Sequence, residues 1–516
     1  MKRLQVLQRH CTSCSNLNRS EDAESTITPH IVIIGGAVLD IQATATTCNL
    51  LRGGSVPGTI RHVPGGVGRN IAEGLGRLLR PSLDNNHSTL LPTVAFASVV
   101  GNDAAGLQII DSLTTLGVST KAVAVQPLMR TPSVSIIFDR SGEVSACVAD
   151  LASLEAAFTP SLLDRHTQIA ELLRQASVVV VEANLPSSVI QAVARTLSLS
   201  SCDKKKRTFP SSPGAPNSDR TRPECIVIME PVSVPKSLRL LDSLALCPAT
   251  FVTPNTAELM AMAQELRQRK DGGGGGSDNG GEQSEEQTEE GKNVREGKGR
   301  EGKSRRKNAD RQGIHPYHVE VVQSIPSSAV SSPLSATPPP SPSPPTSSTT
   351  PLPLPAVVLG AAAEVILAGA AGVILTMGSD GVALITPFSS VSSPSSPSPS
   401  PSPSPTKSVL DLEINHLAAL PATVVNLSGA GDTFVAGFAS AVAMMALEGR
   451  ARDGTIGSGS AFKAALGMGV AAATRAVESA SNVPNDDSFA WGNEELQEAA
   501  RRAQKSNRWS RVRVVV

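Results

Sequence analysis

Continuous apolar runs punctuate the chain at His30–Gly36, Thr93–Val100, Ser177–Val181, Cys225–Met229, Phe251–Thr253 and Gly372–Thr376. A run that does not alternate suits a strand buried on both faces, as in a parallel sheet. Helix-period stretches lie between them: Asn70–Leu79, Gly106–Leu116, Leu162–Gln175, Ser187–Leu197, Asn255–Arg269 and Ala356–Ala368. Strands alternating with helices predict a doubly wound α/β fold, a three-layer α/β/α sandwich. Two regions break the rhythm. Leu39–Val63 and Lys121–Val148 alternate, and carry turn residues such as Asp139-Arg140-Ser141-Gly142. They predict a small antiparallel sheet, a lid able to cover a pocket and exclude water.

Composition decides how many domains this makes. Residues 271–313 are rich in Gly, Glu and Lys, 326–355 in Pro, Ser and Thr, and 389–406 are almost pure Ser and Pro. Such stretches bury too little apolar surface to offset the entropy of ordering them. With the polar run 202–223 they divide one domain, 30–485, by insertions at about 202–223, 271–355 and 389–406. A leader, 1–29, and a tail, 486–516, flank it. Roughly 300 residues then remain for packing, the size of one large α/β domain. The insertions fall at surface-loop positions, one after the helix that starts at Asn255 and one in the hairpin made by Val382–Thr386.

With 46 basic and 46 acidic side chains the formal charge is zero, which gives no general drive towards nucleic acid or an anionic membrane. The basic run 292–311 is interleaved with Glu and Gly and reads as a solvated loop. Seven scattered cysteines, with one Cys11/Cys14 pair lacking a second pair at zinc spacing, indicate neither a metal site nor a disulfide framework. Residues 356–375 are apolar and of membrane-span length, but Glu364 lies in the middle and Gly369 and Gly372 divide the segment into a helix and a short strand.

Chemistry concentrates in a few places. Asn426-Leu427-Ser428-Gly429-Ala430-Gly431-Asp432-Thr433-Phe434 precedes an Ala-rich helix. Small residues there let backbone N–H groups converge at a helix start, an anion site with one carboxylate, Asp432, beside it. A phosphate cradle next to a base is what phosphoryl transfer to an alcohol needs. A Gly-rich turn with Asp as helix cap reads the same residues equally well. Pro64-Gly65-Gly66-Val67-Gly68-Arg69-Asn70 also precedes a helix, and Asn70 offers a donor and an acceptor to a diol. Taken alone, it reads as a plain loop. Asp40 and Glu182 each lie beyond the end of an early strand, where ligands gather in such folds. Asn255 and Glu258 share a face at a helix start, although an N-cap also explains Asn255. Thr376-Met377-Gly378-Ser379-Asp380-Gly381 ends a strand in a turn.

In this order the motifs resemble those of the PfkB, or ribokinase-like, carbohydrate kinase family. The resemblance implies a ribokinase-like sandwich with a β-sheet lid. It implies Asp432 as catalytic base with Gly429, Ala430 and Gly431 as anion hole, and Asp40, Gly66, Asn70 and Glu182 on the sugar. It further implies Thr376, Gly378 and Gly381 at the nucleotide, and Asn255 and Glu258 organising Mg²⁺ through water, with ATP as donor. Asn426 stands where potassium-activated ribokinases often carry Asp, so a monovalent cation loses one charged ligand. Within the family, Gly-Gly-Val-Gly-Arg-Asn-Ile-Ala-Glu (65–73), Glu230–Lys236 and Ser428 are similar to pseudouridine kinases. The implied reaction makes pseudouridine 5′-phosphate. The alternatives are a kinase of ribose, adenosine, inosine or fructose, and a non-catalytic PfkB-like scaffold. A homodimer through the lid is a further expectation. Arg3-Leu4, five residues, then His10-Cys11 resembles a peroxisomal targeting signal, with Cys11 departing from its pattern. The plant kinases of this type are peroxisomal; otherwise the location is cytoplasmic.

Overall fold

The computed structural model describes residues 30–48, 54–80, 91–141, 144–165, 167–206, 225–247, 250–272, 317–325, 354–388, 408–447 and 459–516. The leader with its Arg3–Cys11 motif, and the greater part of the three insertions, lie outside the described residues.

Fifteen strands form two sheets among the described residues. The central ones are β1 (Ile31–Ile34), β4 (Val94–Gly101), β8 (Val178–Glu182), β9 (Ile226–Glu230), β10 (Thr250–Val252) and β12 (Gly372–Thr376), all parallel to one another. The period of two sends alternate side chains to opposite faces. Val32, Ile34, Val179, Val181, Val227 and Met229 join one buried cluster. Ile31, Ile33, Val178, Val180, Ile226 and Ile228 join the other. Apolar runs without alternation are therefore what a sheet covered on both faces requires. Helices α2 (Thr256–Gly272) and α3 (Ala356–Leu367) supply the first cluster; α1 (Val67–Leu78), α4 (Ala430–Leu447), α5 (Gly459–Glu478) and α6 (Glu494–Lys505) supply the second.

Helix α4 is long and apolar enough to cross a membrane, yet Thr433 through Met444 are all buried against the sheet and its neighbours. A helix apolar all round belongs to a core when protein surrounds it. In α3, Glu364 is buried and paired at 2.6 Å with Lys270 of α2, which explains a carboxylate in so apolar a stretch.

The lid is a four-stranded sheet in the order β3-β2-β6-β7, made by β2 (Val38–Ala45), β3 (Gly58–Gly65), β6 (Ser133–Phe138) and β7 (Val144–Asp150). One part of the expected lid lies elsewhere. Strand β5 (Ser119–Gln126) pairs in parallel with β4 and ends the main sheet. It alternates because an edge strand is covered on one face and wet on the other, so its pattern looks like that of a lid strand.

The far edge brings two larger corrections. Strands β13 (Val382–Pro387) and β14 (Val409–Leu417) turn back antiparallel to β12. Beside them lie β15 (Arg508–Val515) and then β11 (His318–Ile325). Residues expected to form a tail are therefore helix α6 and a strand paired on both sides, and part of the 271–355 insertion is an edge strand. The helix Ser187–Lys206 likewise runs into the insertion expected from 202. In β15 the sequence Arg-Val-Arg-Val-Val puts Val512 and Val514 into the core and Arg513 outside, bonded to Asp411 by two hydrogen bonds. Val512→Asp, an unpaired carboxylate in that core, lowers unfolding free energy by about 3–5 kcal/mol, while Arg513→Gln, at an exposed ion pair, leaves it nearly unchanged. Urea denaturation measures both; equal, negligible effects would return 486–516 to the status of a tail.

Candidate active site

Two loops from opposite ends of the sequence meet above the sheet. Gly66, at φ 95°, follows β3 and caps α1; a Cβ on it would come within 2.7 Å of the Gly36 carbonyl oxygen. Gly68 would likewise crowd the Gly35 backbone. These glycines let the start of α1 dock on the turn after β1, where the Arg69 N–H donates to Gly36 O at 3.2 Å. The role is close backbone packing, which a side chain would prevent. It brings Asn70, one turn into the helix, over the sheet with only 6 % of its surface exposed.

The second loop is 426–432. Asn426 folds it by accepting from the Ser428 N–H at 2.9 Å. Gly429, at φ 80°, has no room for a Cβ against Asn482. Thr433 N–H closes the first helical bond to Gly429 O at 2.8 Å. The N–H groups of 430–432 thus open α4, where a helix leaves its donors without intrahelical acceptors. Gly431 differs from Gly66, Gly68 and Gly429: it is exposed and a Cβ there would meet nothing within 4 Å. No packing inside the protein asks for glycine there.

The two loops are joined by one hydrogen bond. Asn70 Nδ2 donates to Asp432 Oδ2 at 2.8 Å, across 362 residues. Asp432 retains some surface, yet desolvation by the surrounding protein pushes its pKa up to about 7; the Asn70 bond opposes this, and the charges of Glu182 and Asp40 add to it. Asp40, at the root of β2, lies over Gly65. Burial raises it to about 6, and the Arg69 guanidinium holds it down.

Glu182 does not face the cleft. It is fully buried, and one carboxylate oxygen accepts from the Gly36 N–H. The other accepts from the Asn184 N–H at 2.8 Å and the Asn184 side chain at 2.6 Å. With both oxygens engaged, it braces the turn on which Gly66 and Gly68 rest, and its charge reaches Asp432 only through space. The carboxylate that sequence reasoning missed is Glu230. It stands beside Glu182 in register on the next strand, accepts from the Thr253 hydroxyl, and is raised to about 8 by burial and then by the charges of Asp432 and Glu258. Its signal was the one that marked Glu182: an acid directly after a buried apolar run.

Asn255 and Glu258 form a reciprocal cap. Asn255 Oδ1 accepts from the Glu258 N–H at 3.0 Å and Glu258 Oε2 accepts from the Asn255 N–H at 2.9 Å, the arrangement of a capping box. A β-bridge sets Asn255 beside Thr376. Both line, with Gly378, a groove of about 910 Å³ whose far wall includes Pro355, His416 and Arg508; ligand pockets are commonly of this size. Gly378, at φ 57°, would meet nothing with a Cβ, whereas Gly381, at φ 92°, is packed hard against Leu417–Ala419. Gly381 therefore shapes the turn and Gly378 faces open space.

Acids raised above their ordinary pKa hold protons more tightly in the folded chain than in the unfolded one. Stability from them is full below the unfolded pKa and is lost as pH rises through about 6 to 8. The ligand-free protein accordingly loses unfolding temperature between pH 5 and pH 8.5, and Glu230→Gln flattens the upper part of that fall. Calorimetry across the range tests this; a midpoint that rises with pH would contradict it.

The profile of the pfkB family carbohydrate kinases matches residues 28–273 and 350–486, which together are most of the chain. A pseudouridine kinase of Arabidopsis thaliana is 29% identical over 46% of this chain and 50% of its own. One from Escherichia coli is 30% identical over 31% of this chain and 46% of its own. The chain thus spans about half the length of these curated relatives. Among solved structures, Arabidopsis thaliana ribokinase complexed with ribose and ATP aligns over 92% of this chain and 99% of its own, with a TM-score of 0.53 and 16% identity.

Proposed function

Because the chain belongs to the pfkB family of carbohydrate kinases, we propose that it transfers the terminal phosphate of ATP to the 5′-hydroxyl of pseudouridine. The observation that carries this reading is the Asn70–Asp432 bond, which sets the glycine turn before α1 and the helix start of α4 around one cleft. A base with a pKa near 7 is half ionised at neutral pH. It suits an acceptor for a proton that leaves a hydroxyl as the oxygen attacks phosphorus.

The attacking hydroxyl sits against Asp432, and its proton passes to the carboxylate as the new O–P bond forms. The N–H groups opening α4 face charge on the transferred phosphoryl group, with Gly431 leaving it room. Asp40 accepts a hydrogen bond from the sugar. The groove beside Asn255, Thr376 and Gly378 takes the nucleotide. Among the described residues no three His, Cys, Asp or Glu side chains converge closely enough to hold an ion directly. The mutual capping of Asn255 and Glu258 leaves Glu258 Oε1 for water. Asn255 and Glu258 fit Mg²⁺ bound through water; when bound, it would neutralise phosphate charge and favour the ionised forms of the nearby Glu230 and Glu258. Ile60, Val144 and Val148, exposed on the lid, support a homodimer formed through it.

For the substrate, support comes from the two pseudouridine kinases among the relatives and from the residues 65–73 and 230–236. Assayed against pseudouridine, ribose, adenosine, inosine and fructose, purified protein has its highest kcat/KM for pseudouridine. A higher value for any other substrate would move the assignment to that one.

Asp432→Asn lowers kcat by about a hundredfold to ten-thousandfold while leaving nucleotide binding, measured by calorimetry, within about threefold. Turnover that survives this change would remove the base. A protein that binds nucleotide yet phosphorylates nothing would be the scaffold.

A further inference from the structure

Arg69 is a buried cation at a costly place. It is 4 % exposed and is the third residue of α1, where the helix dipole disfavours positive charge. Its Nη1 reaches three acceptors: a Glu73 carboxylate oxygen, Pro64 O at 3.0 Å and Asn70 Oδ1 at 3.4 Å. Its Nε has no partner. Glu73 is secured from the other side by Arg77, whose Nε and Nη2 donate at 2.9 and 2.6 Å. Glu73 would thus keep a partner without Arg69, and ion pairing alone does not account for the guanidinium.

What Arg69 controls is the amide of Asn70. A carboxamide presents an acceptor at one end and a donor at the other, and its surroundings decide which points where. Here Oδ1 faces the guanidinium and Nδ2 faces Asp432. Turning the amide over would set donor against donor and oxygen against carboxylate, so both contacts favour one orientation. We propose that Arg69 is a positioning residue: by holding Asn70 Oδ1 it keeps the Asn70 amide N–H on Asp432 and so supports the ionised form of that carboxylate. This rests on Asp432 being the base.

The groups around Asp432 are Asn70 on α1, Asp40 on β2, Glu182 on β8 and Glu230 on β9. Those around Arg69 are Glu73, Arg77 and Asp40. The charges of Glu182 and Asp40 favour the protonated form of Asp432, so Asn70 is the donor that offsets them, and its orientation sets how low the base can titrate.

The test is the acid limb of kcat against pH in four proteins: wild type, Arg69→Met, Asn70→Ala and the double variant. Arg69→Met moves the limb upward by about one pH unit, the effect of weakening one charge-assisted hydrogen bond, and turnover at pH 6 falls roughly tenfold. In the Asn70→Ala background the same change moves the limb no further. Arg69→Lys, which keeps a cation on one donor nitrogen without the planar guanidinium fork, gives a smaller shift that also vanishes without Asn70 and serves if Arg69→Met does not fold. An unmoved limb, or an equal shift in both backgrounds, overturns the proposal, since a merely structural role would lower rates without coupling to Asn70. A wild-type profile lacking an acid limb, with Asp432→Asn still active, would instead remove the base itself.

Discussion

One hydrogen bond, from the Asn70 amide to Asp432, ties this site together. It is made by residues 362 positions apart, so it exists only if the whole sandwich is assembled in register. It also has an energetic reason to exist. Burial and the neighbouring Asp40 and Glu182 all favour a protonated Asp432, and the Asn70 donor is what favours the anion. A carboxylate balanced between these influences can both take a proton and release it near neutral pH.

The sheet explains why so many acids stand together. Asp40, Glu182, Glu230, Glu258 and Asp432 are all delivered by strand ends or helix starts on one side of the sheet. Parallel strands place all their carboxyl ends on that side, and helix N-termini return there after each crossover. The resulting field of carboxylates is unfavourable within the protein alone, as the upward shifts of Asp40, Glu230 and Asp432 record. Opposing it are the backbone donors of two helix starts and, under α1, the Arg69 guanidinium. A site of this kind holds electrostatic tension that a substrate hydroxyl and a neutralised nucleotide would relieve.

Most of the sandwich was legible because a sheet covered on both faces writes itself as unbroken apolar runs. The strand at Gly372–Thr376 and the helix from Ala356 fall where the pattern put them. Edges were harder. Ser119–Gln126 alternates as a lid strand does, and His318–Ile325 is a short strand enclosed by low-complexity sequence. Arg508–Val515 lay beyond the last recognisable motif. None of these carries a local mark that separates a strand at or near a sheet edge from a loop or a tail, since pairing across the sheet decides it. The pairing of Asn70 with Asp432 was likewise invisible to spacing, although each residue was singled out by its own glycine turn. Glu182 was assigned to the cleft from its place at a strand end. The direction of its side chain, inward to Gly36 and Asn184, depends on packing that no sequence position specifies.

The most direct measurement is of the carboxyl group itself. With ¹³C-labelled aspartate, the side-chain resonance of Asp432, identified by its disappearance in Asp432→Asn, can be followed through a pH titration of the ligand-free protein. The structure predicts a midpoint near 7, well above the ordinary aspartate range. A carboxyl that remains ionised down to pH 4 would mean that Asp432 lies in water, away from Asn70 and the acids of the sheet, and the account of this site would not stand.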